Sequence, residues 1–505
     1  MIDELFRTMP PAPAARGEID WTVVALVGCV FAPAVGLLIL QDQWNKGWRP
    51  FGRRGVRAAV GRGAGKLRVV SRTLPAFRFQ DAARAAAHVA GRRGDAVLVD
   101  QSINRDLGDV LAGRNAAGRS VLAPAPRTAR PVGPGDGGND RNGGGGPKTE
   151  LFADDGFHVF GAGPAAPPGS RAVLRVRPSH YGTSQTVIEA AAGTFAAAQE
   201  LLDAVEARSV SHSIYRGALL EFRHQGSYDE DGDFAGGGEP ELTFKPKTRL
   251  AAEDIVLDPA TLPVLRRNLV DHRARHADLA RLGLPLSKGL LFHGPPGTGK
   301  TYTCRWVVGE LPDTTAFVVA GQSLHHVKSV CGLARLLAPS LVILEDVDLV
   351  FAEREKNFDT SALGDLMDEM DGFRPHEAVS FILTTNALDR VERAIKDRPG
   401  RIGQCVYFGP PDAELRRRYL VQYLAPFDAS AVDPAALAAD SRGSSQAFLK
   451  EWIARAALFA LEEESRRETD PLRLTPADFA AALAELTRGG TEGAAVIGFG
   501  GGAGR

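Results

Sequence analysis

One stretch constrains this chain more than any other: "GLLFHGPPGTGKTYTCRWVV", residues 289 to 308. An apolar strand runs into a glycine-rich loop, and the loop opens a helix. Gly294 to Thr301 matches the pattern G-x-x-x-x-G-K-[ST]. Each residue type serves the chemistry. Glycine at 294, 297 and 299 lets backbone N–H groups curl around phosphate oxygens without a Cβ in the way. The N-terminus of the following helix adds a partial positive charge. Lys300 neutralises β- and γ-phosphates, and the Thr301 hydroxyl ligates Mg2+.

A second run, "LVILEDVDLV" at residues 341 to 350, ends in Glu345, Asp346 and Asp348. In most ATP-hydrolysing P-loop proteins the acid at the strand end is Asp and a Glu follows; here the order is reversed. Both side chains remain carboxylates, so both can bind metal-bound water or polarise an attacking water. Asp346 is one methylene shorter than the usual base, and a 1 Å error in position can cost about a hundred-fold in rate.

These runs, with "LGDLMDEMDGF", "FILTTNALDRV" and "KDRPGRIG" in order and spacing, resemble the AAA branch of the AAA+ ATPases over residues 246 to 485. The resemblance implies a parallel α/β nucleotide domain (246–411) and a helical lid (412–487), assembled as a homo-oligomeric ring around ATP and Mg2+. It assigns the nucleotide contacts to Gly294, Pro295, Pro296, Gly297, Thr298, Gly299, Lys300, Thr301 and Tyr302, with the backbone of "EDIVL" at Ile255 against adenine. The implied metal-side groups are Thr301, Glu345 and Asp346. The implied catalytic groups are Asp346 and Glu345, Asn386 as the sensor that positions water, and Arg401 as a finger reaching the neighbouring subunit. Arg398 is a weaker finger candidate. Gln404 stands where many relatives carry a second arginine.

The stretch that grips polypeptide in threading relatives corresponds to "GQSLHHVKSVCG", residues 321 to 332, and has no aromatic-x-glycine; Leu324, His325 and His326 stand near that place. No His-Glu-x-x-His occurs, so a membrane metalloprotease site is not expected.

Ahead of this module, residues 21 to 40 are free of charge between Asp20 and Asp42, long enough at about 1.5 Å per residue to cross a bilayer's hydrocarbon core. Trp21, Trp44 and Trp48 flank the run, as interfacial anchors do. From Lys46 to Arg78 there are ten Lys or Arg and no Asp or Glu, which predicts a single-pass helix with its C-terminal side in the cytoplasm. The expected order is a tail (1–20), the span (21–40), a basic juxtamembrane segment (41–78), an unassigned region (79–130), a Gly-rich linker (131–148), a small α/β domain (149–245), the nucleotide domain, the lid and a disordered tail (488–505). One membrane span and a middle domain before the ATPase resemble the mitochondrial cytochrome bc complex assembly chaperone branch, which also has the Glu-Asp order.

Charge is nearly balanced, with 60 Lys and Arg against 61 Asp and Glu, so composition implies no polyanionic partner. Four scattered cysteines exclude a disulfide scaffold. Three functions stay open: a membrane-anchored ATPase that remodels or moves a protein client, a nucleotide switch with little turnover, and a nucleic-acid motor. Beyond residue 150 there is neither a basic stripe nor a nucleic-acid module, and no nucleic acid is expected.

Overall fold

The computed structural model describes residues 54–55, 64–91, 96–99, 106–112, 121–124, 127–134, 148–153, 155–160, 171–179, 185–224, 227–228, 234–235, 240–250, 255–348, 368–369, 374, 376–389, 391, 402–467 and 470–488. The expected span at 21–40, Arg398, Arg401 and most of the C-terminal tail lie outside them. Among the described residues no helix is long and apolar enough to cross a membrane.

The described N-terminal strands are β1 (Arg54–Gly55), β2 (Arg68–Pro75), β3 (Ala96–Val99), β4 (Val121–Pro124), β5 (Arg127–Gly133), β6 (Lys148–Ala153), β7 (Gly156–Phe160), β8 (Ala172–Pro178) and β9 (Gln185–Ala192). Seven of them form one sheet in the order β1-β4-β3-β7-β8-β9-β2, and β5 and β6 pair as a hairpin. Side chains alternate across the sheet, as the two-residue strand period requires. Leu174, Val176, Ile188 and Ala190 face helices α1 (Phe79–Val89) and α3 (Phe195–Ser211). Val173 and Ala191 face Leu107 and Leu111 of α2 (Leu107–Ala112) on the other side. Thr194 caps α3 by accepting the Ala197 N–H at 3.1 Å.

Three expectations change here. The Gly-rich stretch has its ends paired, Gly133 opposite Lys148, so it connects two strands of one hairpin instead of tethering two domains. The basic segment is folded from Arg68 onward. All eight residues of β2 pair with β9, Arg72 meets Asp203 and Glu206 of α3, and Arg78 is buried. The small domain also loses its last strands. β10 (Leu219–His224) and β13 (Pro240–Lys245) join the second sheet, with β10 parallel to a strand of that sheet across residues 219–222.

That second sheet adds β14 (Lys288–His293), β15 (Thr315–Ala320), β16 (Ser340–Glu345), β17 (Val379–Thr385) and β18 (Gln404–Tyr407) to β10 and β13; the short pair β11 (Ser227–Tyr228) and β12 (Phe234–Ala235) stands apart. Its order is β13-β10-β15-β16-β17-β14-β18. The strands from β10 to β18 run parallel to their neighbours, and only β13 is antiparallel. Strands buried on both faces read as continuous apolar runs, as "LVILE" and "SFILTT" do. Helix α4 (Lys300–Glu310) covers one face through Cys304, Trp306, Val307 and Val308; α5 (Val327–Leu336) covers the other through Val327, Val330, Cys331 and Ala334. Leu324 is buried in this second layer and His326 lies 5.9 Å from the Phe222 ring, so the stretch after β15 is packed against the sheet.

Residues 413 to 486 fold around a core of their own. Its helices are α6 (Ala413–Leu424), α7 (Pro434–Asp440), α8 (Gln446–Glu462) and α9 (Pro476–Leu486). Asp412, Asp433 and Ser445 cap the first three, and Thr475 with Asp478 forms a capping box on the fourth. Trp452 fills the centre, edge-on to Phe479, and its indole N–H donates to the Phe479 carbonyl at 2.9 Å.

Candidate active site

In an open parallel sheet, ligands bind beyond the carboxyl ends of the strands. Every charged candidate that the structure describes sits at that edge of the second sheet. His293, the last residue of β14, pairs with Thr385 on one side and Tyr407 on the other. Gly294 and Asn386 therefore leave adjacent strands at the same level. On the next strands Ala320 pairs with Glu345, so the two acids emerge beside them.

The loop from 294 to 299 needs its glycines for different reasons. Gly294 has φ +146°, and a Cβ there would lie 2.0 Å from the Phe408 carbonyl oxygen. Gly297 (φ +74°) and Gly299 (φ +94°) occupy left-handed backbone, and a Cβ on either would run into the lid, against Ala447 or Gln446. The Ala447 N–H donates to the Gly297 carbonyl at 3.1 Å, so the start of α8 is tied to the loop. The first N–H groups of a helix have no partner within it, so the start of α4 at Lys300 offers donors to an anion.

Lys300 is 7% exposed and donates three hydrogen bonds, to Gly294 O at 2.7 Å, Pro295 O at 2.9 Å and Asn386 Oδ1 at 2.8 Å. Burial lowers its pKa from the ordinary lysine value, and the nearby Asp346 and Asp348 act against that. Asn386 uses its other amide atom on the acid: Nδ2 donates to Asp346 Oδ1 at 3.1 Å. Lys300, Asn386 and Asp346 thus form one continuous polar chain. The Glu345 carboxylate takes a different direction. It lies beside Thr301, and burial raises its pKa, with Thr301 opposing and the Asp346 charge adding. The longer acid reaches the helix while the shorter acid faces Asn386.

Asp346 has φ +49°, a conformation that costs most side chains roughly 1–2 kcal/mol and that Asp and Asn tolerate best. Its own N–H is held by Thr384 Oγ1 at 3.0 Å. Strained backbone at a strand end is a recurrent mark of a working site.

A cavity of about 630 Å³ opens between loop and lid. Pro296 to Tyr302, Asp346 and Asn386 line it, together with Gln422, Tyr423, Gln446 and Lys450 from the lid. Ile255 does not line it. Its side chain is buried in the core beneath α4, whereas the next residue, Val256, packs into the lid core and accepts a hydrogen bond from the Tyr419 hydroxyl at its carbonyl. That segment joins the two cores through its backbone.

The hard oxygen donors Thr301 and Asp346 line this cavity near the buried Lys300 ammonium and suit Mg2+ and a phosphate chain, whereas Glu345 lines a neighbouring cavity that also reaches Thr301. Sequence reasoning missed the lid's contribution, although "GSSQAFLK" shows a capped helix start after a Gly-rich turn. It also assigned nothing to Asp348, which lies buried under Asn386.

Residues 290–410 match the AAA family, the ATPase family associated with various cellular activities. The chain is 30% identical over 245 residues to a 26S proteasome regulatory subunit 8 homolog of Schizosaccharomyces pombe, an alignment covering 45% of this chain and 59% of that one. It is 31% identical over 222 residues to an ATP-dependent zinc metalloprotease YME1 homolog of Caenorhabditis elegans, covering 41% and 30%. With an ATP-dependent zinc metalloprotease FtsH 2 of Thermoanaerobacter it shares 29% identity over 233 residues, 44% of each chain. The chain therefore spans under two thirds of each of these relatives. Over residues 290–410 the match identifies an ATPase domain of the AAA family.

Proposed function

We propose that this chain binds ATP with Mg2+ and hydrolyses it in a homo-oligomeric ring, using the cycle to remodel or move a protein client. The observation that carries the reading is the polar chain Lys300–Asn386–Asp346 beside the Thr301–Glu345 pair, at the mouth of the glycine loop. Thr301 and Glu345 would hold the metal, whose bound charge offsets the phosphates. Lys300 leaves its loop carbonyls for phosphate oxygens. Asp346 takes the proton of the attacking water, and Asn386 orients that water. The reversed order of acids is accommodated by backbone: the left-handed turn at Asp346 swings its short carboxylate toward Asn386 and the cavity.

Arg401 completes the proposal from the next subunit, where a finger supplied in trans raises turnover about a thousand-fold or more. The relatives' names, a proteasome regulatory subunit and ATP-dependent metalloproteases, favour a protein client over a nucleic acid. The architecture we propose is a membrane helix at 21–40, a small domain over the sheet that ends at α3, and the ATPase domain on the cytoplasmic side, as in the assembly-chaperone branch. Phosphate release by the full chain in detergent, compared with Arg401→Ala, tests the shared site. A mixed preparation of Arg401→Ala with Lys300→Ala should recover part of the activity neither has alone. Full turnover by Arg401→Ala would refute the trans finger, and an inert wild type would leave a nucleotide switch.

A further inference from the structure

Asp348 is 8% exposed and does not line the nucleotide cavity, yet it is hydrogen-bonded to Thr385 and Asn386 at the end of β17. Its Oδ1 accepts two hydrogen bonds, from Thr385 Oγ1 at 2.8 Å and from the Asn386 N–H at 3.1 Å. Thr385 is fully buried, its hydroxyl also accepts the Ala387 N–H at 3.0 Å, and its carbonyl accepts the Gly294 N–H at 3.3 Å. One carboxylate oxygen therefore fixes the end of β17 where that strand stops pairing. Asn386, the first residue beyond the strand, owes its backbone position to this oxygen and no longer to the sheet.

We infer that Asp348 is a positioning residue for hydrolysis, holding the Asn386 amide at the height where it meets both Lys300 and Asp346. The inference rests on the reading of Asn386 and Asp346 given above. A buried carboxylate accepting charge-assisted hydrogen bonds is a stiff support, because leaving its donors unsatisfied is costly. The support also has a defined geometry. Asp348 lies two residues beyond Asp346 on one strand exit, and Thr385 and Asn386 form the other exit. Thr384 Oγ1 and the Thr384 carbonyl add a second tie, to the N–H groups of Asp346 and Val347, both at 3.0 Å. Base and sensor are thus clamped to each other through paired strand ends, and Asp348 is the clamp on the sensor side.

The test uses the full chain and two readouts. Asp348→Ala should lower kcat by about tenfold to a hundred-fold, the scale expected for displacement by a fraction of an ångström to 1 Å, with the ATP dissociation constant within about threefold of wild type. Without nucleotide, the amides of Asn386 and Ala387 should exchange hydrogen faster in this variant. Asp348→Asn retains an oxygen that can accept both bonds, and should stay near wild type in both readouts. Thr385→Val removes one donor without touching Asp348 or Asp346 and should also lower kcat, which keeps the test alive if Asp348→Ala does not fold. Wild-type exchange at Asn386 and Ala387 in Asp348→Ala overturns the inference, as does a fall in Asp348→Asn equal to that in Asp348→Ala, or unchanged kcat in Thr385→Val. A wild type that fails to hydrolyse ATP overturns the functional reading instead, while the exchange arm still decides whether Asp348 holds Asn386.

Discussion

Replacing Asp346 by Asn, Gly and Ala separates backbone strain from chemistry at the reversed carboxylate pair. All three changes remove the proposed base, so turnover should be lost in each; stability tells them apart. At φ +49° a residue with an ordinary Cβ costs roughly 1–2 kcal/mol, a penalty that Asp and Asn partly escape through local hydrogen bonding and that Gly does not incur. The side chain contributes one partly exposed hydrogen bond, from Asn386 Nδ2, worth about 0.5–1.5 kcal/mol. Asn keeps both the tolerance and an acceptor, so Asp346→Asn should lie within about 0.5 kcal/mol of wild type. Gly loses the bond and gains relief of similar size, leaving it about neutral. Ala loses the bond and takes on the full penalty, about 2 kcal/mol in total. Urea unfolding at unchanged slope reads these differences, and thermal midpoints should separate by about 2–4 °C per kcal/mol for a domain of this size. Gly more stable than Ala by about 2 kcal/mol is the signature of left-handed backbone. If Ala equals or exceeds Gly, the conformation assigned to Asp346 is wrong, and so is the account of how a shorter acid faces the site.

Gly297→Ala should act on the lid: its Cβ would stand 2.8 Å from Ala447 Cβ and 3.0 Å from Ser445 Oγ, in a backbone with φ +74°. We expect ATP affinity to fall at least about tenfold, at a strain cost of roughly 1–2 kcal/mol, and the start of α8 to exchange faster; unchanged affinity would show that the lid contact is dispensable. A pH dependence should arise at the junction of the two sheets. There Asp81, buried, accepts from Ser213 Oγ at 2.5 Å and the Ile214 N–H at 2.8 Å, and Tyr215 donates to the Phe77 carbonyl at 2.7 Å. Burial raises the Asp81 pKa to about 6, against the opposing hydrogen bonds and Arg78. Because the folded value is the higher one, this group's stabilisation is complete below the unfolded carboxylate range near 4 and is lost as pH rises through about 6. Wild type should therefore lose on the order of 2–3 kcal/mol relative to Asp81→Asn between pH 4 and pH 7.5, and a constant difference in urea unfolding across that range would contradict it.

Much of the candidate site could be read in the sequence because its parts are local. A glycine loop between an apolar strand and a helix, two acids at a strand end, and an Asn after "FILTT" each declare themselves within a few residues. What stayed hidden depends on contacts far apart in the chain. The alternation in "LLEFR" identifies a strand but carries no label for its sheet, and the pairing of Leu220 with Phe317 spans nearly a hundred residues. The basic run from Lys46 to Arg78 looks uniform, yet Arg72 and Arg78 have partners in α3. The motif "EDIVL" implies an adenine contact through its backbone, but it does not say where the side chains go: Ile255 packs in the core beneath α4 and Val256 in the lid core. Asp348 looked like a third acid in a row; only the neighbouring strand's end gives it a role.

The most direct measurement is uptake and turnover of Mg-ATP by the full chain beside Lys300→Ala. The account predicts saturable ATP binding and steady phosphate release by wild type, and neither in the variant, whose loop has lost the ammonium that bridges Gly294, Pro295 and Asn386. Wild-type protein that takes up no ATP, or a Lys300→Ala variant that releases phosphate at the wild-type rate, would contradict it.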